Sequence, residues 1–328
     1  MLGVTLVVAA AAGSIYERIG ERRDRERLPQ VGRSVDIDGR TLNIYCSGEG
    51  RPAVILDAGA SGSGYGWSHI QPELATFTRA CWFDRAGMGW SDVGPFPHTG
   101  AGMSRDLHEL LRRAGVDTPY VLVGHSLGGL NVRVYNGMFP AEVAGAVLVD
   151  AAHEDEPRRA PPQMLGHTAP RWLWHPIWIA AQTARAVGLI RLMTPRPQLA
   201  ADPAQRTREQ IVRALRAQPK TIATLADAST PLRYAEAERA GGFGDRPLVV
   251  LTQGKMPDTT TEFGRAYGAY LQVWMHEIQP KLARLSTHGR QIIVATSGHD
   301  IPDEAPEAVI DAVREVVADV RRERTPSP

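Results

Sequence analysis

Short runs of consecutive apolar residues recur along this 328-residue chain, and stretches long enough to form helices separate them. The apolar runs cover residues 53–56, 80–83, 120–123, 143–149, 248–251 and 292–295. A strand of a parallel sheet is apolar on both sides because helices cover both faces of such a sheet. The alternation therefore predicts an α/β fold with a mostly parallel, doubly wound sheet.

A β-hairpin is predicted before the first apolar run. Residues 35–37 and 42–45 flank Asp38-Gly39, a dipeptide that readily supplies the positive φ angles of a type I′ turn. Periodic apolar positions and turn residues predict helices over residues 67–77, 104–114, 127–138, 262–285 and 305–320. We assign all these elements to one α/β core, formed by residues 31–152 and 242–328.

The alternation of strands and helices is interrupted between residues 153 and 241. This stretch contains many prolines, helical patches and the cluster RWLWHPIW, and it has no clear strand. We therefore expect residues 153–241 to form a helical cap that is inserted into the core and covers a substrate pocket. Residues 1–30 form a third region, which differs in character from both.

Residues 2–16 carry no charge, and five arginines follow them by residue 27. Fifteen helical residues span about 22 Å, less than the ~30 Å hydrocarbon core of a bilayer. Three interpretations are open: a signal peptide without the usual basic start, a membrane anchor with its arginines on the cytoplasmic side, or a helix docked on the domain. We favour membrane association. Residues 2–16 thus predict that the protein is membrane-associated or exported. If this segment is neither an anchor nor a signal peptide, a cytoplasmic protein is expected.

Composition narrows the partners and cofactors. The net formal charge of +1 gives no electrostatic footprint for nucleic acid, so no such partner is expected. Cys46 and Cys81 are the only cysteines, which is too few for a disulfide scaffold. No Cys or His spacing suggests a metal site, and none is expected.

The sequence GHSLGG, residues 124–129, lies between the apolar run YVLV and a predicted helix. A serine between glycines at a strand-to-helix junction is typical of a nucleophile elbow, a strained turn that exposes the hydroxyl group. The N-terminus of the following helix directs backbone N–H groups toward a developing oxyanion. A plain turn is the alternative, because Gly and Ser are common in turns. Ser126 is therefore a candidate nucleophile.

A histidine and a glycine-rich loop are placed to act with Ser126. His299 follows the last predicted strand and precedes the last helix, at the sheet edge where ligands bind in open α/β folds. A glycine-rich loop follows the first apolar run, and an ordinary flexible loop is its alternative interpretation. If the loop is functional, the backbone N–H groups of Ala60 and Leu127 are candidates for an oxyanion hole.

These features, with the loop DRAGMGWSD at residues 84–92, resemble the α/β-hydrolase superfamily. The resemblance covers residues 31–152 and 242–322. Within the superfamily, the chain is most similar to bacterial serine esterase-type members that have a helical cap between the sixth and seventh strands. The resemblance implies a catalytic triad in the chain order nucleophile, acid, histidine.

Two carboxylates are candidates for the acid of this triad. Asp150 lies at the end of the sixth predicted strand, where some family members carry the acid. Asp258 follows the seventh strand, slightly past the commonest family position. We prefer Asp150 and keep Asp258 as the alternative.

The resemblance implies a serine hydrolase that cleaves carboxylic esters through Ser126, His299 and Asp150 and an acyl-enzyme intermediate. Small-molecule esters and lactones are the candidate substrates, and the reaction needs no metal ion or organic cofactor. A lactonase or a C–C bond hydrolase with the same three residues is one alternative. A non-catalytic binding module of the same fold is another.

Three cap tryptophans are candidates for substrate binding: Trp172, Trp174 and Trp178. They suggest an apolar lid over an acyl or aromatic group. The alternative is that they form only the small core of the cap itself.

The resemblance also bears on Cys46 and Cys81, because the family's sheet order makes their strands neighbours. It implies that their Cα atoms can approach within the ~4.4–6.8 Å that a disulfide requires. A disulfide would favour export, whereas the arginines that follow residues 2–16 favour retention. The two indications conflict, and both remain open.

Overall fold

Eight strands form one mixed sheet in the computed structural model, which describes residues 2–164, 169–227 and 229–324. The strands are β1 (Arg33–Asp36), β2 (Thr41–Ser47), β3 (Ala53–Asp57), β4 (Ala80–Phe83), β5 (Tyr120–His125), β6 (Val143–Val149), β7 (Leu248–Gln253) and β8 (Gly289–Val294). Their spatial order is β1-β2-β4-β3-β5-β6-β7-β8. The pairs β1–β2 and β2–β4 are antiparallel, and all the others are parallel. The predicted α/β fold with a mostly parallel sheet is confirmed.

Helices connect the strands. In the first half of the chain they are α1 (Leu2–Arg27), α2 (Gln71–Leu74), α3 (Gly100–Arg113), α4 (Leu127–Met138), α5 (Glu156–Arg159), α6 (Arg171–Ala186) and α7 (Leu189–Met193). They continue with α8 (Arg208–Arg216), α9 (Pro219–Leu225), α10 (Thr230–Arg239), α11 (Glu262–Val273), α12 (Gln279–Ala283), α13 (Ile301–Glu304) and α14 (Pro306–Arg324).

Helices cover both faces of the sheet, as its apolar strands require. Helices α3, α4 and α12 pack on the face that carries buried Ile55 and Leu122. Helices α2 and α14 pack on the opposite face, against buried Leu56 and Val123. Burying one such side chain contributes roughly 1.5–3 kcal/mol, so the two layers hold the strands rigidly. The carboxyl ends of the parallel strands then form one well-defined edge.

Two predicted helices are interrupted in the structure, and each contains a proline. Within residues 67–77 only α2 forms, with Pro72 in its first turn. Within residues 262–285, α11 ends at Val273, five π-helical residues follow, and Pro280 lies in the first turn of α12. Proline lacks an N–H group and its ring clashes with the preceding turn, so it favours the first turn of a helix over the helix interior. The other predicted elements are present, with ends shifted by up to four residues.

The N-terminal hairpin forms where it was predicted. Asp38 and Gly39 have φ angles of 62° and 89°, as a type I′ turn requires. Cys46 on β2 lies directly opposite Cys81 on β4, and the two form a disulfide with their Cα atoms 4.1 Å apart. The bond links the antiparallel edge of the sheet to its parallel centre.

Helices α5 to α10 occupy the chain between β6 and β7, and the described residues of this stretch contain no strand. Buried polar contacts fasten these helices to the loop before α3. Asp227 accepts hydrogen bonds from the backbone and the Nδ1 of His98, both at 2.9 Å. Arg233 donates to the His98 carbonyl at 2.7 Å. The division into a cap of residues 153–241 and a two-segment core remains a prediction.

Helix α1 has two different halves. Its second half docks on α6 and α7, where buried Arg191 pairs with Glu17 and Asp24 at 2.8 and 2.6 Å. Gly13 lies so close to the Val187 carbonyl that a Cβ atom there would be 2.2 Å from the oxygen. Residues 3–12, in contrast, are exposed. Among the described residues, no helix is both long and apolar enough to cross a membrane.

Membrane association through α1 remains a prediction, and its exposed apolar half provides the test. We expect the chain to co-sediment with vesicles of phosphatidylcholine and phosphatidylglycerol, because residues 3–12 can insert and the arginines that follow attract anionic lipid. The double substitution Val4→Asp/Val8→Asp should release the protein. Phe263→Asp, at an exposed apolar position on α11, is the control and should bind as before. Equal sedimentation of all three proteins would contradict the prediction.

Candidate active site

Ser126 lies in the turn between β5 and α4 with a strained backbone. Its φ and ψ angles are 53° and −120°, a combination that residues with a Cβ atom rarely adopt. The end of β6 holds this conformation: the Ser126 N–H donates to the Val149 carbonyl, and the Ser126 carbonyl accepts from the Ala152 N–H, both at 3.0 Å. The strain is therefore located at the predicted nucleophile itself.

The glycines around Ser126 are required by close packing. A Cβ atom on Gly128 would lie 2.6 Å from the Asp57 carbonyl oxygen, and one on Gly129 would lie 2.3 Å from the Ala151 Cβ. Neither glycine has a positive φ angle. The sequence predicted that the glycines permit a tight turn and leave no side chain beside the serine hydroxyl. The structure adds that they let α4 approach β3 and the end of β6 closely.

His299 bridges Ser126 and Asp150. Its Nδ1–H donates to Oδ2 of Asp150 at 2.6 Å, and its Nε2 lies 3.0 Å from Oγ of Ser126. With the proton on Nδ1, Nε2 is free to accept the serine hydroxyl proton. The structure thus brings together the three residues that the sequence identified as nucleophile, base and preferred acid.

Asp150 is fully buried and saturated with hydrogen bonds. Besides His299, it accepts bonds from the Gln253 backbone, the Gln253 side chain and the Trp274 indole, at 3.0, 2.9 and 2.8 Å. Asp258 lies on the surface and accepts two 2.9 Å bonds from Thr260 within its own turn. The preferred carboxylate contacts His299, and the alternative is engaged elsewhere.

The two neighbouring histidines differ in their pKa values. Burial disfavours the His299 imidazolium, but the hydrogen bond and the negative charge of Asp150 outweigh it and raise the pKa of His299 above its ordinary 6.5. Burial and the proximity of His299 lower the pKa of His125 to about 4. Neutral His125 donates from Nε2 to the His299 carbonyl at 2.9 Å, so it supports the loop that carries His299.

The predicted oxyanion donors are available. Within the described part of the chain, neither the Ala60 N–H nor the Leu127 N–H donates to an acceptor. Leu127 is the first residue of α4, whose N-terminus carries a partial positive charge. A Cβ atom on Gly59 would lie 3.5 Å from the Ser126 Cβ, so the loop that carries Ala60 passes beside the serine.

Arg85 holds this loop in place through hydrogen bonds, a role that the sequence did not reveal. The side chain is buried and donates to the Asp57 carboxylate and to the carbonyls of Ala58, Gly59 and Ala60. Because the guanidinium group binds the carbonyls of the loop, the backbone N–H groups of the loop are directed away from Arg85. The signal in the sequence that could have indicated this role is the Asp-Arg dipeptide at the start of DRAGMGWSD.

A cavity of about 260 Å³ opens over the site. It is bordered by Ser126, His299 and Ala60, and by residues of α8. The three tryptophans predicted to bind substrate do not border this cavity. Trp178 is buried against Phe96 and His98, Trp174 donates to the Ala169 carbonyl, and Trp172 is 75% exposed. Apolar side chains in a cap pack with each other and with the core as readily as they line a pocket.

Comparison with known proteins identifies the family. Residues 54–312 match the model of the alpha/beta hydrolase family, which covers most of the chain. The chain therefore belongs to the alpha/beta hydrolase family, as the motifs predicted. The family is one of hydrolases that act on small molecules.

Matches to curated relatives are partial. The 2-hydroxy-6-oxo-6-(2'-aminophenyl)hexa-2,4-dienoic acid hydrolase of Metapseudomonas resinovorans is 27% identical over 149 residues, 42% of this chain and 50% of the relative. The uncharacterized protein YbdG of Bacillus subtilis (strain 168) is 22% identical over 151 residues, 45% of this chain and 46% of the relative. Across eight curated relatives the match covers 15% to 50% of the relative's length. The chain thus spans at most half the length of each of these eight curated relatives.

Solved structures match over nearly the whole chain. A thermophilic esterase from Thermogutta terrifontis, with malate bound, superposes with a TM-score of 0.58 at 21% identity, covering 88% of this chain and 97% of the esterase. The enol-lactonase from Burkholderia xenovorans LB400 superposes with a TM-score of 0.56 at 17% identity, covering 87% of this chain and 100% of the lactonase. At these identities the likeness shows a shared fold.

The contact between Asp150 and His299 predicts how the activity depends on pH. A general base must be neutral, so kcat/KM should fall as the pH drops through a midpoint above 6.5, the ordinary pKa of histidine. Asp150→Asn should lower that midpoint and reduce kcat on the order of 10⁴-fold, because it removes the charge that stabilises the imidazolium. Asp258→Asn is the matched control and should leave both quantities unchanged. A larger loss of kcat in Asp258→Asn would reverse the assignment.

Proposed function

We propose that the protein is a serine hydrolase that cleaves carboxylic esters. Ser126 is the nucleophile, His299 the general base, and Asp150 the residue that orients His299. The observation that carries the proposal is the continuous hydrogen-bonded chain from Ser126 Oγ through His299 to buried Asp150. The strained backbone of Ser126 and the available N–H groups of Ala60 and Leu127 support it independently.

In the first step, Oγ of Ser126 forms a bond to the ester carbonyl carbon while His299 Nε2 takes the hydroxyl proton. The carbonyl oxygen becomes an oxyanion, which the backbone N–H groups of Ala60 and Leu127 stabilise. The C–O bond to the alcohol then breaks, and His299 returns its proton to the departing oxygen. The alcohol leaves, and the acyl group remains on Ser126.

In the second step, water attacks the acyl carbon and transfers a proton to His299 Nε2. The bond to Ser126 Oγ breaks, Oγ regains that proton, and the carboxylic acid leaves. Asp150 keeps the imidazole in the tautomer with its proton on Nδ1 and stabilises the transient imidazolium in both steps. All proton transfers occur between groups of this chain, the substrate and water.

Substitution of Ser126 tests the proposal. Wild type should hydrolyse 4-nitrophenyl esters between acetate and palmitate and should react with a fluorophosphonate, whereas Ser126→Ala should lose both reactions, with kcat reduced about 10⁴-fold or more. Ser34→Ala, at an exposed position on β1, is the control and should behave like wild type. The hydrolysed chain lengths define the acyl size that the cavity accepts.

The same assay, extended to lactones and to substrates of C–C bond hydrolases, separates the alternatives. A lactonase or a C–C bond hydrolase would label with the fluorophosphonate but would prefer its own substrate class over every 4-nitrophenyl ester. A folded protein that neither hydrolyses an ester nor labels at Ser126 would contradict the proposal and favour a binding module.

A further inference from the structure

One face of α8 borders the cavity that contains Ser126. Arg208, Val212 and Arg216 all line the cavity, and their spacing of four residues places them on one side of the helix. Ala214 and Leu215 are buried in a small apolar cluster, which anchors the helix by another side. Two guanidinium groups on a fixed helix therefore border the same space as the nucleophile.

The charge of one of these groups is already balanced. Arg208 Nη2 lies 3.0 Å from a carboxylate oxygen of Asp303, and its Nη1 donates to the Gly66 carbonyl at 3.2 Å. The Arg216 guanidinium, in contrast, forms no hydrogen bond or ion pair with any described residue. Its donors are free to bind a group that enters the cavity.

The acidic groups of the cavity limit where an anion can lie. Asp303 is occupied by Arg208, and Asp300 lies next to His299. An anionic group is repelled beside Asp300 and attracted beside Arg216. A substrate with one negative charge would therefore be oriented with that charge at α8 and away from His299.

We propose that Arg216 binds a carboxylate of the substrate, so that the preferred substrates are esters whose acyl chain ends in a free carboxylate. A guanidinium group matches a carboxylate through two parallel N–H···O bonds, which gives direction as well as attraction. The proposal concerns the substrate class of the site described above and rests on the proposed esterase function. It makes Arg216 a specificity determinant and leaves the chemistry to Ser126, His299 and Asp150.

Two esters of equal length test this inference: monomethyl adipate, which ends in a carboxylate, and methyl hexanoate, which ends in a methyl group. The measurement is kcat/KM for each ester, by titration of the released acid at constant pH. The proteins are wild type, Arg216→Gln, Arg216→Lys and the control Arg213→Gln. Arg213 lies on the same helix, is exposed and does not border the cavity.

Wild type and Arg213→Gln should prefer monomethyl adipate by about tenfold, and added salt should reduce this preference. Arg216→Gln should lose the preference because kcat/KM for monomethyl adipate falls about tenfold relative to that for methyl hexanoate, and Arg216→Lys should retain part of it. A general structural defect would reduce both rates equally. The same preference in wild type and Arg216→Gln would overturn the inference.

Binding of adipate makes the test independent of catalysis. Calorimetry should show about tenfold weaker binding of adipate to Ser126→Ala/Arg216→Gln than to Ser126→Ala. Equal affinity, or no binding to either protein, overturns the role of Arg216. If wild type hydrolyses neither ester and does not label with fluorophosphonate, the esterase function fails instead, and the adipate affinities still decide the question of Arg216.

Discussion

Two backbone hydrogen bonds between the Ser126 turn and the end of β6 hold the candidate site together. They run from the Ser126 N–H to Val149 and from the Ala152 N–H to Ser126, both at 3.0 Å. A backbone conformation like that of Ser126 costs on the order of 1–3 kcal/mol, and these bonds with the close packing of α4 offset the cost. Because β6 continues directly into Asp150, one strand end both constrains the backbone of Ser126 and supplies the carboxylate that His299 contacts.

Buried polar groups give the rest of the site its rigidity. Asp150 has partners for both of its oxygens, and Arg85 binds one carboxylate and three backbone carbonyls without reaching the surface. An unpaired buried charge would cost several kcal/mol, so these groups hold their neighbours in one arrangement. The loop that carries Ala60 is thereby fixed before any substrate binds, and such preorganisation is the condition for electrostatic stabilisation of an oxyanion.

Much of this architecture was predictable because it depends on local patterns. Buried parallel strands must be apolar, and Ser126 and His299 each follow such a strand, so sheet topology alone places them at one edge. Gln253 and Trp274 were not predictable, because they reach Asp150 across 103 and 124 residues of sequence. The interruption of the helix that presents Trp274 depends on Pro280, and the apolar periodicity of residues 262–285 does not reveal it. The packing of Trp178 against Phe96 and His98 was unpredictable for a related reason: composition identifies apolar side chains and not the surface against which they pack.

The backbone angles of Ser126 have an evolutionary consequence. Glycine adopts positive φ angles without steric cost, so a glycine at position 126 would relieve the strain that serine maintains there. In a lineage that used this fold only to bind a partner, mutation toward glycine would increase stability and would meet no opposing selection. A serine at the most strained point of the turn is thus the residue expected where selection for reactivity outweighs selection for stability.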